Sequence, residues 1–506
     1  MRASGILMPV SSLASKYGIG CFSKEAYEFI DFLKESGQTY WQILPFGPTG
    51  YGDSPYQCVS AFAGNPYFID LETLKEEGLV EQWFLDERYF GTNPEYVDYG
   101  AQYNNRFLVL KMAFDAFRER GLQNSLEYQT FFKKEAYWLE DYALFMSIKR
   151  KMDQKSWQQW DLPLRTRDTV AIHVIKEELK ELIEFFYFQQ FEFYKQWNKL
   201  HAYAKKQGIK IIGDMPFYPA MDSVDAWSHP ELFLFDKKGE PEYVAGCGPD
   251  AFSATGQLWG NPIYNWESMK KNAYQWWITR FEHMHQLCDV IRIDHFHGFA
   301  QYYAIPYGDK TAENGTLHEG PGMELFKVLE QKVKNIQIIA EDLGASSKYT
   351  EKMMKNCPYP GMRILQFAYD GSETSSYLPY FHEKNCVVYT GTHDNMTSLQ
   401  WIESINDHDR DFVRRYIHSE NTNYGAFVWD FIREAYRSTA DTCIIPLQDY
   451  LVMGKEARIN EPGTLGTNWQ WRLKPSFLSK ELAHSIYQLT KLYGRLPKKE
   501  KAEGNE

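Results

Sequence analysis

Cysteine, positive charge and long apolar runs are what this 506-residue chain has little of. Its seven cysteines are scattered, with no C-x-x-C pair, so neither a disulfide framework nor a thiolate zinc set is written into the spacing. An odd, dispersed set fits a reducing compartment, and the cytoplasm is the expected location. Acids outnumber bases, 67 to 55, leaving a formal net charge of −12. Without a global positive field, neither nucleic acid nor an anionic membrane is expected as a partner. No apolar stretch is long enough to span a bilayer, and residues 1–12 lack the order of a signal peptide. No G-x-x-x-x-G-K-[ST] occurs, and no Rossmann glycine fingerprint follows a strand, which disfavours nucleotide chemistry. The pairs His283/His285 and His295/His297 read H-x-H and not H-E-x-x-H. His297 is expected in a pocket wall, and His283 and His285 at the surface.

Aromatic residues, by contrast, are plentiful at 16 %, with 15 Trp and 35 Tyr. A large core uses such rings, and so does a groove on which the apolar faces of sugars stack. Eight short apolar runs end in Gly, Pro or an acid and read as buried strands: 39–46, 66–71, 209–215, 290–294, 336–342, 362–367, 387–392 and 443–447. Helical patterns lie between several of them, which predicts an α/β fold, a closed (β/α)8 TIM barrel and not an open sheet. Two intervals are too long for ordinary loops. They predict subdomains inserted between strands 2 and 3 (about 75–205) and strands 3 and 4 (about 220–285), around the C-terminal mouth. The expected organisation is one catalytic domain over 1–493 and a polar tail over 494–506.

The run 289–299, D-V-I-R-I-D-H-F-H-G-F, organises the rest. Arg292 and Asp294 are two apart, so on a strand they share a face. Strand ends in such a barrel face the active site. Those ends carry Asp214, Arg292 with Asp294, Glu341 with Asp342, and His393 with Asp394. Four acidic ends at one mouth favour a site, since a barrel core does not need them. Glycosidic bond cleavage uses paired carboxylates, one attacking and one protonating the leaving oxygen. Divalent-metal hydrolysis is the first rival, but no Cys–His set has zinc spacing. Which acid attacks is not decided by these residues alone.

From Gly5 to about Leu492 the chain resembles the 4-α-glucanotransferases, called amylomaltase or disproportionating enzyme, glycoside hydrolase family 77 of the α-amylase clan. The motifs are G-P-T-G-Y-G-D-S-P-Y-Q from Gly47, S-A-F-A-G-N-P from Ser60, F-S-A-T-G-Q-L-W-G-N-P from Phe252, R-I-D-H-F from Arg292, A-E-D-L-G from Ala340, T-G-T-H-D-N from Thr390 and P-G-T-L-G-T-N-W-Q-W-R from Pro462. The resemblance implies a retaining transferase of α-1,4-glucan segments, with maltooligosaccharide donors and glucose or another glucan as acceptor. It implies Asp294 as nucleophile, Glu341 as general acid/base and Asp394 as the stabiliser that holds the sugar's 2- and 3-hydroxyls. Arg292 would orient Asp294 and keep it ionised, which predicts a depressed pKa for that acid. His393 and Asp214 would hold the sugar at the cleavage point, and Tyr56, Gln257, Trp259 and Asn460 would contact the glucan. Loops at 252–259 and 460–464 would arch over the groove. No cofactor and no bound metal, calcium included, is implied, and a monomer or weak homo-oligomer is expected. An amylase-type hydrolase is the alternative, and a catalytically dead glucan-binding protein a third reading. Gly248, His297 and Ile459 depart from the family's usual residues, which bears on acceptor preference and not on mechanism.

Overall fold

In the computed structural model, residues 2–50, 52–249, 255–344, 347–372 and 374–498 are described. Phe252 and the end of the polar tail lie outside them. The strands are Ala3–Leu7 (β1), Tyr40–Gln42 (β2), Lys210–Met215 (β3), Tyr243–Cys247 (β4), Gln257–Pro262 (β5), Val290–Ile293 (β6), Gln301–Pro306 (β7), Thr316–Glu319 (β8), Ile338–Ala340 (β9), Gly361–Ile364 (β10), Cys386–Tyr389 (β11) and Thr442–Pro446 (β12). Eight of them form one parallel sheet in the order β10-β11-β12-β1-β2-β3-β6-β9.

The two outer members of that order meet. Ala340 N–H donates to Pro360 O at 2.9 Å, and Met362 N–H donates to the Asp342 carboxyl at 2.7 Å. Asp342 also takes Arg363 Nη1 at 3.1 Å, so it closes the seam between β9 and β10. Gly361 is required there, because a Cβ would sit 2.4 Å from Asp342 Oδ2.

Strand alternation sorts the side chains into two cores. Leu7, Ile212, Val290, Ile339, Met362, Val387, Tyr389 and Ile444 fill the barrel. Ile6, Trp41, Ile211, Ile291, Ile293, Ile338, Val388, Cys443 and Ile445 point outward into the helical shell. A lumen-facing Val290 therefore places Arg292 and Asp294 on the lumen face too. The same parity puts Asp214 above Ile212 and Glu341 above Ile339.

One expected strand is not a strand. Residues 66–71 are a 3₁₀ turn, Pro66–Phe68, followed by the helix Leu71–Glu76. Pro66 supplies no ladder donor, the Asn65 side chain caps Tyr67 N–H, and Asp70 caps Glu72 and Thr73. These caps outweigh the apolar run P-Y-F-I. The missing barrel member is β1, A-S-G-I-L, whose small residues carry little strand signal. It is wedged between β12 and β2.

Between β2 and β3 lie helices that include Leu126–Lys151 and Lys180–Gln207, packed on each other. Ser125 caps the first, and Gly208 ends the second in the left-handed region. His283, expected at the surface, is buried against them. It bonds to Tyr194 Oη at 2.7 Å and to Phe62 O at 3.0 Å, because helix Gln275–Leu287 turns that face inward. β5-β4-β7-β8 form a separate antiparallel sheet, which joins segments that precede and follow β6.

Two arginines tie the chain's distant parts together. Arg495, fully buried, donates to the carbonyls of Ala3, Tyr436, Ser438 and Asp441. Arg2 donates to those of Tyr436, Ser438 and Tyr493. No helix among the described residues is long and apolar enough to cross a membrane, and no disulfide is formed among them.

Candidate active site

The lumen-facing end of β6 sets the geometry. β3 and β6 place Asp214 beside Arg292 in register. Arg292 Nη1 lies 2.7 Å from both oxygens of Asp214 and 3.3 Å from Asp294 Oδ1. Tyr56 Oη donates to Asp214 Oδ2 at 2.7 Å. The Asp214 side chain has no exposed surface, so it holds Arg292 and Tyr56 from behind the site.

Glu341 follows β9, the strand paired with β6, so it stands next to Asp294 at the mouth. Its carboxylate accepts two main-chain donors, His295 N–H on Oε2 at 2.7 Å and Leu343 N–H on Oε1 at 2.8 Å. Asp394 follows β11. Asn460 Nδ2 donates to Asp394 Oδ1 at 2.6 Å, and Arg458 Nη2 donates to the Asp394 carbonyl at 3.2 Å. His393 is buried, its ring stacked on Tyr56 with centroids 5.1 Å apart. Its Nε2 stands 3.2 Å from Asp394 Oδ2, but neither ring nitrogen makes a hydrogen bond. Trp259, on β5, sets its ring edge-on to His295 at 5.0 Å and donates Nε1–H to Gln257 Oε1 at 3.1 Å.

All ten sequence-predicted site residues thus enter one connected network at the barrel mouth. Four contributors were not foreseen there. Main-chain donors at His295 and Leu343 leave no trace in side-chain identity. Arg458 and Trp469, whose ring lies 5.9 Å from Tyr56 and 6.0 Å from His393, flank or lie within quoted motifs without a distinguishing pattern.

The electrostatics divide the acids. Burial pushes Glu341 up to about 7, helped by the charge of Asp294 and opposed by Arg292 and the two main-chain donors. Burial also raises Asp294, to about 6, against the pull of Arg292. The expected depression of Asp294 is therefore corrected. Arg292 is already engaged by Asp214, so its remaining attraction for Asp294 is smaller than the cost of burying that charge. Both carboxyls are thus raised, and Glu341 feels the charge of Asp294 as well as its own burial. For Asp394 the balance reverses. Burial raises its pKa, but His393, Asn460 and Arg292 outweigh that and hold it at about 2. His393 is pressed down by burial and lifted further by Asp394, so its pKa ends raised.

The Arg292–Asp214 pair yields a stability test. Asp214→Asn leaves a buried guanidinium with half its counter-charge. An unfolding free energy lower by about 3 kcal/mol is expected, because removing one partner of a buried pair strands the other. Chemical denaturation measures it, and a change under about 0.5 kcal/mol, the range of an ordinary surface substitution, would show that Arg292 does not depend on Asp214.

No group of three or more His, Cys, Asp or Glu among the described residues is placed to hold a metal ion. A parallel eight-stranded barrel with three carboxylates around its C-terminal mouth defines a glycoside-bond-processing enzyme. The family model described as 4-alpha-glucanotransferase, glycoside hydrolase family 77, matches residues 8–479. The chain is 47 % identical over 489 residues to the 4-alpha-glucanotransferase of Clostridium butyricum, covering 96 % of this chain and all of that one. To the Thermus thermophilus 4-alpha-glucanotransferase it is 43 % identical, covering 95 % and 96 %. Among solved structures, the amylomaltase from Streptococcus agalactiae in complex with acarbose matches with a TM-score of 0.95 at 38 % identity, covering 98 % and 100 %. The chain belongs to the 4-alpha-glucanotransferase family and is an enzyme of that family.

Proposed function

We propose that this enzyme moves α-1,4-glucan segments from a maltooligosaccharide donor to the 4-hydroxyl of glucose or another α-1,4-glucan, with retention. The observation that carries the reading is the Asp294–Glu341 pair, two carboxyl groups at neighbouring ends of the paired strands β6 and β9, both raised by burial. A retaining displacement uses such a pair, one acid protonated and the other ionised. Glu341 gives its proton to the glycosidic oxygen while the Asp294 carboxylate attacks the anomeric carbon, forming a glycosyl ester and releasing the reducing-end piece. Glu341, now ionised, takes the proton of the acceptor's 4-hydroxyl. That oxygen displaces Asp294, and two inversions restore the α configuration.

Asp394, kept ionised, holds the 2- and 3-hydroxyls of the reacting sugar, and Asn460 fixes its rotamer. His393, with Nε2 beside Asp394, serves the same sugar, and Asp214 supports it through Arg292 and Tyr56. Trp259 and Gln257 line the acceptor side, and with the 460–464 loop they exclude water in favour of sugar. We place the enzyme in the cytoplasm, as a monomer or weak homo-oligomer, with one catalytic unit over 1–493 that includes the insertions.

Incubation with maltotriose tests the reading. Glucose plus a ladder of longer oligosaccharides is expected. Glucose and maltose alone would make the enzyme a hydrolase.

A further inference from the structure

The residue after the nucleophile candidate has an unusual backbone. His295 sits in the left-handed region, φ 49° and ψ 48°, uncommon for a non-glycine residue, though His, Asn and Asp visit it more than others. Its N–H bonds Glu341 Oε2 at 2.7 Å, and the left-handed turn that follows returns Phe296 to the ladder. The β-ladder logic continues on both sides of it: Asp294 N–H bonds Met215 O and Phe296 N–H bonds Glu341 O, at 3.1 and 3.0 Å. Only the His295 peptide leaves the ladder for the carboxylate.

The ring of His295 is held from three sides. Trp259 meets it edge-on at 5.0 Å, Phe217 at 5.8 Å, and Tyr218 stacks at 6.5 Å. Gly298 makes the room, since a Cβ there would lie 2.9 Å from His295 Cδ2. Strained backbone that persists at a site is over-determined by its surroundings, and here these rings supply that constraint.

We propose that His295 is a positioning residue for the acid/base, its left-handed turn and the packing of its ring on β5 together fixing the peptide whose N–H bonds Glu341. The inference rests on Glu341 being the acid/base. A donor held on the ionised carboxylate favours the ionised form, so the bond keeps Glu341 from rising beyond the range in which it can act both as acid and as base. The other charges facing Glu341 are Asp294 and Arg292, with the Tyr377 phenol beyond. Asp342 is directed away, to Met362 and Arg363. Burial lowers the His295 imidazole to about 4, so the ring brings no charge of its own near neutral pH.

The test compares His295→Asn, which adopts the left-handed region readily, with His295→Val, whose β-branched side chain does not. The readout is the basic limb of the pH–rate profile for maltotriose disproportionation. Val is expected to move that limb up by about one unit, the worth of one hydrogen bond to the ionised form, and Asn, which keeps the turn but not the ring, to move it less. An unmoved limb in Val, or an equal shift in both variants, overturns the inference. Should Val not fold, wild-type enzyme labelled with 15N-histidine answers the question. The His295 amide shift is expected to titrate with Glu341 and to stop titrating in Glu341→Gln, and a flat His295 amide in wild type overturns the inference. The underlying assignment is checked apart from this, by whether the basic limb seen in wild type with maltotriose vanishes when fluoride release from α-maltosyl fluoride, which needs no acid, is followed instead. A limb that persists there refutes Glu341 as the acid, and a limb that vanishes there yet ignores His295 refutes only the positioning role.

Discussion

Asp294→Asn is expected to lose glucan transfer by at least a thousandfold while keeping the fold. An amide cannot form the glycosyl ester, and a thousandfold corresponds to about 4 kcal/mol of barrier. The fold should tolerate the change because the carboxyl's raised pKa, about 6, makes its ionised form a cost to the folded state. A group whose folded pKa lies above its unfolded value adds stability below the unfolded pKa and loses it as pH rises through the folded one. At pH 8 the Asn variant is therefore expected to melt no lower than wild type. Retention of a tenth or more of wild-type transfer, in a preparation shown free of deamidation, would mean that another group attacks.

Glu341→Gln should be the second large effect, and a selective one. Transfer from maltotriose, whose leaving group needs a proton, is expected to fall by at least a hundredfold, the scale of general acid catalysis. Fluoride release from α-maltosyl fluoride, whose leaving group needs none, should survive. The linkage sign is the same as for Asp294 but the window differs. Glu341 is raised from 4.5 to about 7, so its contribution to stability is full below about pH 4.5 and is lost as pH rises toward 7. Removing the charge should leave melting at pH 8 unchanged or raised. Gln keeps one acceptor oxygen for the donors from His295 and Leu343, so part of that gain is offset. Strong destabilisation at pH 8 with equal loss on both substrates would make Glu341 a structural member of an ion pair.

The site was more legible in the sequence than the scaffold that carries it. Arg292, Asp294, Glu341 and Asp394 sit at the ends of short apolar runs, and lumen parity follows from an alternation that two residues suffice to fix. The eightfold count was right for a partly wrong reason. The run 66–71 was apolar enough to pass for a strand, while β1, with Ala, Ser and Gly among its five residues, was not. Its burial comes from neighbours at both edges, and no local pattern reports that. The charge state of Asp294 was misjudged because the sequence shows Arg292 beside it but not Asp214, 78 residues earlier, taking the same guanidinium. His295 illustrates the remaining gap: the aim of a main-chain donor is set by backbone dihedrals, and side-chain identity is silent on it.

The wedging of β1 between β2 and β12 has a bearing on biogenesis. Ala3 pairs with Thr442 and Leu7 with Pro446, so β1 leaves the ribosome well before the partner on one of its edges and waits for it. At 5–20 residues per second that wait is roughly 20–90 s. Throughout it, one edge of β1 and the apolar lumen above it are open to other chains. Arg495 then reaches back to the Ala3 carbonyl, a lock that turns only after β12 has been made.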